Sequence, residues 1–170
     1  PDLWQAYSEN SAEVETLEFL FSFVKLIKPR VVVETGTFVG HSTIYIAQAL
    51  VDNGIPFVFT SFEIKDAYIE IAKKNLASVS LADQVRISRQ SSMAEPYISD
   101  DIDFLFLDSD TSIRIAELRF FEAKLSGKAV VCIHDTDERH KVRKNLTTIM
   151  KDYNVIDLKT PRGIVIVQKK

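Results

Sequence analysis

Four polar groups stand at the ends of apolar runs. Glu34 follows Val31–Val33, Glu63 follows Phe57–Phe62, Asp108 follows Ile102–Leu107, and the pair His134-Asp135 follows Ala129–Ile133. Carboxylates of this kind can hold a hard divalent cation, accept hydrogen bonds from hydroxyls or attract an ammonium. A histidine among them titrates near neutrality and can move a proton. Any one such acid is an ordinary surface residue. Four in the same position relative to four apolar runs point to one shared site.

The first of them opens a turn, Glu34-Thr35-Gly36-Thr37-Phe38-Val39-Gly40-His41-Ser42. Gly36 and Gly40 permit a sharp bend and let a ligand approach without a Cβ in the way. A helix starting behind the turn favours an anion with its free amides. Thr37 and Ser42 add hydroxyl donors. The phosphate loop GxxxxGK[ST] is absent, and Phe38 occupies the position of the second glycine of GxGxxG. A carboxylate therefore fits this turn better than a pyrophosphate, and Glu34 beside it can attract an ammonium. Together these describe an amino-acid moiety. Glu63 lies 23 positions after Gly40, near the roughly 20 expected of an acid that accepts from ribose hydroxyls. The alternative for Glu63 is a helix-entry acid held by the dipole. An amino acid joined to a nucleoside is S-adenosylmethionine, the expected cofactor.

The elements that must position these groups follow from periodicity. Asn10 and Glu13 resemble a capping box, and Val14, Leu17, Phe21, Val24 and Ile27 keep helical spacing until Pro29. This predicts a first helix of about 16 residues, with residues 1–28 as a helical cap on a single domain spanning 1–170. Trp4 and Tyr7 pack ordinarily or reach the mouth of the site. Helices are expected from His41 to Leu50, from Asp66 onward, from Thr111 or Ser112 to a stop at Gly127, and through Val142, Leu146, Ile149 and Met150. Strands are expected at Val31–Val33, Phe57–Phe62, Val85–Ser88, Ile102–Leu107, Ala129–Ile133, Val155–Leu158 and Ile164–Val167. Alternating strands and helices predict an α/β fold, a doubly wound parallel sheet. The last two strands are too closely connected for a crossover and must pair antiparallel. In such a sheet the carboxyl ends of the parallel strands open on one side, which brings the four polar groups to one crevice.

Composition sets the outer bounds. The chain has 170 residues, 46% hydrophobic and 26% charged, with a formal net charge of −3. That is a globular balance with no general attraction for nucleic acid or an anionic membrane. The basic run Arg139–Lys144 coats the outside of a helix. The single cysteine, Cys132, sits in an apolar run and reads as a buried, inert thiol. No stretch reaches the ~18 apolar residues of a membrane span, and no leader pattern is visible, so a cytoplasmic location is expected.

With these residues in place, the chain resembles the class I S-adenosylmethionine-dependent methyltransferases, in particular small bacterial O-methyltransferase-like families and, more distantly, the metal-dependent catechol and caffeoyl-coenzyme A type enzymes. The resemblance implies a Rossmann-like sheet in the order 3-2-1-4-5-7-6 with strand seven antiparallel. It implies that Glu34, Gly36, Thr37 and Gly40 hold the methionine part, beside the cofactor-binding hydroxyl of Ser42 expected above, that Glu63 binds the ribose, and that Ser91 and Ser92 lie against the adenine. Asp108, His134 and Asp135 would surround the methyl group, with Asp108 and Asp135 as ligands of Mg²⁺ or another divalent cation where a metal is used. Three departures stand out: Phe38 stands where many methyltransferases carry glycine, Ser91 replaces a usual acid, and Thr111 stands where His or Lys is expected as base.

Methyl transfer to oxygen needs an aligned, deprotonated acceptor. A cation held by Asp108 and Asp135 could lower a hydroxyl's pKa, and His134 could serve as a third ligand, as the general base, or simply as a hydrogen-bonded residue at a strand end. Metal-independent transfer, a cofactor-binding domain without chemistry and an oxidoreductase on a related sheet are the alternatives; Phe38 and the antiparallel last strand argue against the last. The expected acceptor is a small molecule bearing a hydroxyl, of sugar, phenol or natural-product type. Short covering segments leave room for a large substrate, a homodimer or a partner domain. Arg162 in the last hairpin is a turn charge or a contact for an acidic substrate.

Overall fold

Successive residues of each strand face opposite sides of the sheet, and here both sides are apolar. The even positions Val32, Phe104, Phe106, Cys132, Ile164 and Ile166 pack in one layer with Leu20, Val24, Ile46, Leu50 and Leu76. The odd positions Val33, Leu105, Leu107, Val131, Ile133, Val165 and Val167 pack in the other with Leu118, Phe121, Val142, Leu146 and Ile149. Helices thus cover both faces of the sheet. The computed structural model describes residues 7, 8, 10–94 and 100–170; Trp4 and the middle of the 89–101 loop lie outside them.

The strands are β1 (Val31–Thr35), β2 (Val58–Phe62), β3 (Arg86–Ser88), β4 (Ile102–Leu107), β5 (Leu125–His134), β6 (Tyr153–Leu158) and β7 (Ile164–Lys169). They form one sheet in the order β3-β2-β1-β4-β5-β7-β6. Strands β1 to β5 run parallel to one another, and β7 runs antiparallel to both β5 and β6. The helices are α1 (Val14–Ile27), α2 (His41–Asn53), α3 (Asp66–Ser78), α4 (Arg114–Phe121) and α5 (Lys141–Leu146). No described helix is long and apolar enough to cross a membrane.

Several local expectations are corrected. The N-cap of α1 is Glu13, but its side chain makes no cap hydrogen bond; it is drawn instead into the charged cluster described below. Helix α1 belongs to the even-face core through Leu20 and Val24. Gly127 does not end a helix. Helix α4 stops at Phe121, and β5 begins at Leu125, with a register irregularity against β4 between Ile102 and Phe104. Asp103 anchors this irregular edge: its Oδ2 accepts from the amides of Arg30 and Val31, and its Oδ1 accepts from Ser126 Oγ. Helix α5 ends at Leu146, which leaves Met150 half exposed while Ile149 stays buried. Cys132 is fully buried, which pushes its thiol pKa up and keeps it inert.

Candidate active site

A cavity of about 560 Å³ opens over the carboxyl ends of the parallel strands, within the usual size of small-molecule sites. Sheet order sets out its walls. From the β3 and β2 side come Ser91, Ser92, Glu63, Ile64, Lys65 and Tyr68; from β1 come Gly36 and Phe38; from β4 come Asp108, Ser109, Asp110 and Thr111; from β5 and the last hairpin come Asp135 and Arg162. Asn10 closes the near side. The four strand ends do converge.

The turn after β1 is built for shape. Gly36 has φ +86°, and a Cβ there would lie 2.5 Å from the Asp108 carbonyl oxygen, so only glycine lets the β1 and β4 ends approach. Phe38 also has positive φ, 50°. Its ring stands edge-on to Tyr68 with centroids 4.6 Å apart, forming an apolar wall beside Glu63. The turn's amides are taken internally. Gly36 and Thr37 donate to the Phe62 carbonyl at 2.9 and 3.0 Å, and Gly40 donates to that of Thr37 at 2.9 Å.

Glu63 is held by three backbone N–H groups, Phe38 on Oε2 and Ile64 and Lys65 on Oε1, each at 2.9 Å. A carboxylate offers about four acceptor positions, so this one is fixed in place with capacity left for a hydroxyl. Ser91 and Ser92 both reach the cavity, as expected.

Glu34, Thr37, Gly40 and Ser42 do not line the cavity. Glu34 is at an even position of β1 and therefore points into the α2 layer. It is fully buried and accepts hydrogen bonds from Ser42, Thr43 and Ser61 hydroxyls at 2.6 Å each. Burial pushes its carboxyl up to about 7, against the pull of these hydroxyls. Thr37 Oγ1 pairs with Ser61 Oγ at 2.5 Å. Gly40 faces Ala72 of α3, where a Cβ would meet the alanine methyl at 3.2 Å. These four residues brace the turn from behind, and the expected contact of Glu34 with an ammonium is not what the fold offers.

His134 is corrected in the same way. It too is at an even position, so it turns toward the N-terminus of α1. It is fully buried, with Nδ1 3.0 Å from Asp108 Oδ1 and Nε2 3.0 Å from Glu13 Oε2. Burial disfavours the imidazolium, but Asp108, Glu13 and Asp135 outweigh it and raise the pKa to about 9. Both ring nitrogens are thus engaged by carboxylates, and His134 does not line the cavity. Glu13 responds oppositely: burial raises it, but the hydrogen bond and charge of His134, its own backbone amide and the Thr16 hydroxyl together bring it down to about 2. His41 bonds Ser11 Oγ and stacks near Tyr7, outside the cavity. His140 pairs with Asp137.

Two charged residues on α4 complete the floor. Arg114 is 2% exposed. Its Nη2 lies 3.1 Å from Asp108 Oδ1 and 3.0 Å from Asp135 Oδ2. Its Nε donates to the Ser109 carbonyl, and its Nη1 to that of His134. Glu117 is 1% exposed. It accepts from Thr35 Oγ1 at 3.0 Å and from Ser92 and Ser109 hydroxyls at 2.6 Å each. It ties the end of β1 to the loops after β3 and β4, and places an acid beside Ser92. The sequence held a signal for both. Positions 114, 117, 118 and 121 are the buried stripe of α4, and two of them are charged. Spacing the stripe from Ile115, a residue only half buried, hides this.

A Rossmann-like sheet with an antiparallel seventh strand and an acid-lined cavity over its strand ends defines the class I methyltransferase architecture. A family profile described as a methyltransferase domain matches residues 33–136, more than half of the chain, and the chain belongs to that family. No curated protein matches the sequence. Among solved structures, the O-methyltransferase TomG of Streptomyces achromogenes, in complex with SAM, superposes with a TM-score of 0.80 at 19% identity, covering 95% of this chain and 82% of its own. The O-methyltransferase of Bacillus cereus in complex with SAH gives 0.81 at 19%, covering 95% and 84%. SAH-bound PaMTH1 of Podospora anserina gives 0.83 at 12%, covering 95% and 81%. At these identities the likeness is one of fold.

Proposed function

We propose that the protein transfers a methyl group from S-adenosylmethionine to a hydroxyl of a small-molecule acceptor of sugar, phenol or natural-product type. The observation that carries this reading is the placement of Glu63 and Asp108 on one cavity, at the ends of β2 and β4, in a chain of the methyltransferase family. The residues present fit a nucleoside on the β2–β3 side. Glu63 is fixed to receive ribose hydroxyls, Ile64, Phe38 and Tyr68 give apolar surface for a purine, and Ser91 and Ser92 offer hydroxyls to its edge. Gly36 leaves the centre of the site without a side chain.

When bound, S-adenosylmethionine supplies an electrophilic methyl group on a sulfonium. The chain supplies alignment, which accounts for much of the rate in a displacement of this kind. Asp108 faces the acceptor side. Its side chain is 16% exposed, against 5% for Asp135, and its Oδ1 is held by Arg114 and His134. The carboxylate is thereby oriented to receive the acceptor hydroxyl's hydrogen bond. Asp110, Thr111, Asn10 and Arg162 form the remaining walls around the acceptor.

Calorimetric titration with S-adenosylhomocysteine tests the reading. Wild type is expected to bind, and Glu63→Ala to bind at least about tenfold more weakly, the loss of roughly 1.4 kcal/mol. No binding by wild type would sink the assignment.

A further inference from the structure

One oxygen of Asp108, one of Asp135 and a ring nitrogen of His134 lie within 4.8 Å of one another, a spacing that could suit a metal ion. A divalent cation needs ligands that are deprotonated and free to turn toward it. The structure gives these groups other partners. Arg114 Nη2 sits between the two carboxylates, 3.1 Å from Asp108 Oδ1 and 3.0 Å from Asp135 Oδ2. Arg162 Nε holds the other Asp135 oxygen at 2.6 Å. Both nitrogens of the His134 ring are already taken, Nδ1 3.0 Å from Asp108 Oδ1 and Nε2 3.0 Å from Glu13 Oε2. Glu13, Asp108 and Asp135 are therefore already engaged by His134, Arg114 and Arg162, and a divalent ion would have to displace Arg114 from between the two aspartates.

We infer that Arg114 is a built-in cation that takes the place between Asp108 and Asp135 that a divalent metal would occupy, so that this site positions Asp108 without a metal. The guanidinium suits this task. Its planar fork is also bound by the carbonyls of Ser109 and His134, one at each strand end, which fixes its plane as well as its charge. It reaches the spot from the buried stripe of α4, where it is 2% exposed. The role of Asp108 toward an acceptor rests on the methyl-transfer reading; the clamp itself does not.

The test is titration of Mn²⁺ followed by the electron paramagnetic resonance of the free ion, with melting temperature as a second readout. Wild type is expected to show no site tighter than about 1 mM, the weak end of carboxylate sites, and no rise in melting temperature with Mn²⁺. Arg114→Met opens the carboxylate pair. It is expected to bind Mn²⁺ at least about tenfold more tightly than wild type, to be stabilised by it, and to lose both effects when Asp135→Asn is added. Wild type binding Mn²⁺ below about 1 mM, with loss in Asp135→Asn, would overturn the inference, as would a folded Arg114→Met with no gain. If Arg114→Met does not fold with or without Mn²⁺, the wild-type titration decides alone. S-adenosylhomocysteine binding, measured in parallel, separates failure of the clamp from failure of the cofactor assignment.

Discussion

The buried ionisable groups set two separate windows in which stability should fall as pH rises. His134 has an ordinary pKa of 6.5 and is raised to about 9 in the fold. A group raised in this way contributes stability that is fully present below 6.5 and disappears as pH rises through 9. At 1.36 kcal/mol per unit, the contribution is about 3 kcal/mol. Glu34, an acid raised from 4.5 to about 7 by burial, also binds more protons folded than unfolded, so its effect falls earlier, as pH climbs from 4.5 to 7. Glu13, lowered to about 2, acts in the other direction and loses its contribution only as pH drops from 4.5 toward 2. Urea unfolding of wild type and His134→Gln at intervals from pH 5 to 9.5 isolates the histidine. The difference in stability between the two should shrink by about 3 kcal/mol between pH 6.5 and 9. A difference that stays flat over that range would refute a charge lodged on His134. Removing one member of a buried pair costs roughly 3–5 kcal/mol, so a variant too unstable to measure is replaced by the nitrogen resonances of wild-type His134, which should show both ring nitrogens protonated at pH 7.5.

Two further outcomes follow from the floor of the site. Glu117→Ala strands three hydroxyls that now donate to one carboxylate; unfolding should show a loss of about 3 kcal/mol, with Glu117→Gln costing less, and a loss under about 1 kcal/mol would contradict the bracing role. Gly36→Ala combines φ +86° with a Cβ 2.5 Å from the Asp108 carbonyl and should cost well over the ~1 kcal/mol of Gly54→Ala, where φ is also positive but nothing lies within 4 Å; equal losses would show that the two strand ends are not in the contact described.

The convergence of strand ends was legible because it depends on order alone. Apolar runs alternating with helical stripes force a parallel sheet, and a parallel sheet gathers every residue that follows a strand. The sheet order came from resemblance, and the geometry agrees with it. Less visible was how much of each strand end stays inside. The apolar runs stop at Val33 and Ile133, whereas β1 continues to Thr35 and β5 to His134. Those added residues make Glu34 and His134 interior positions, subject to the same alternation as the valines before them. Their direction then follows from parity. Val32 and Cys132 face α1 and α2, so Glu34 and His134 face them too, while Thr35 turns to the other layer and finds Glu117.

The charged cluster was hidden for a different reason. Its members come from five places in the chain: Glu13 before α1, Asp108 after β4, Arg114 on α4, His134-Asp135 at the end of β5, and Arg162 in the last hairpin. Sequence reveals an acid at a strand end but not the groups that will pair with it, because His134 turns inward at its own strand end and Arg162 arrives from a hairpin distant in the chain. The exception is Arg114. A guanidinium on the stripe shared with Leu118 and Phe121 must either be buried with a partner or break the stripe. Position 114 is also six residues after Asp108, one short crossing from β4 to α4, so the acid at the strand end is the partner within reach. Taken together, a charge on a buried helical stripe and an acid at the preceding strand end specify an internal ion pair. The same reasoning shifts the reading of Asp108 and Asp135 from open metal ligands to carboxylates whose counter-charge the chain itself provides.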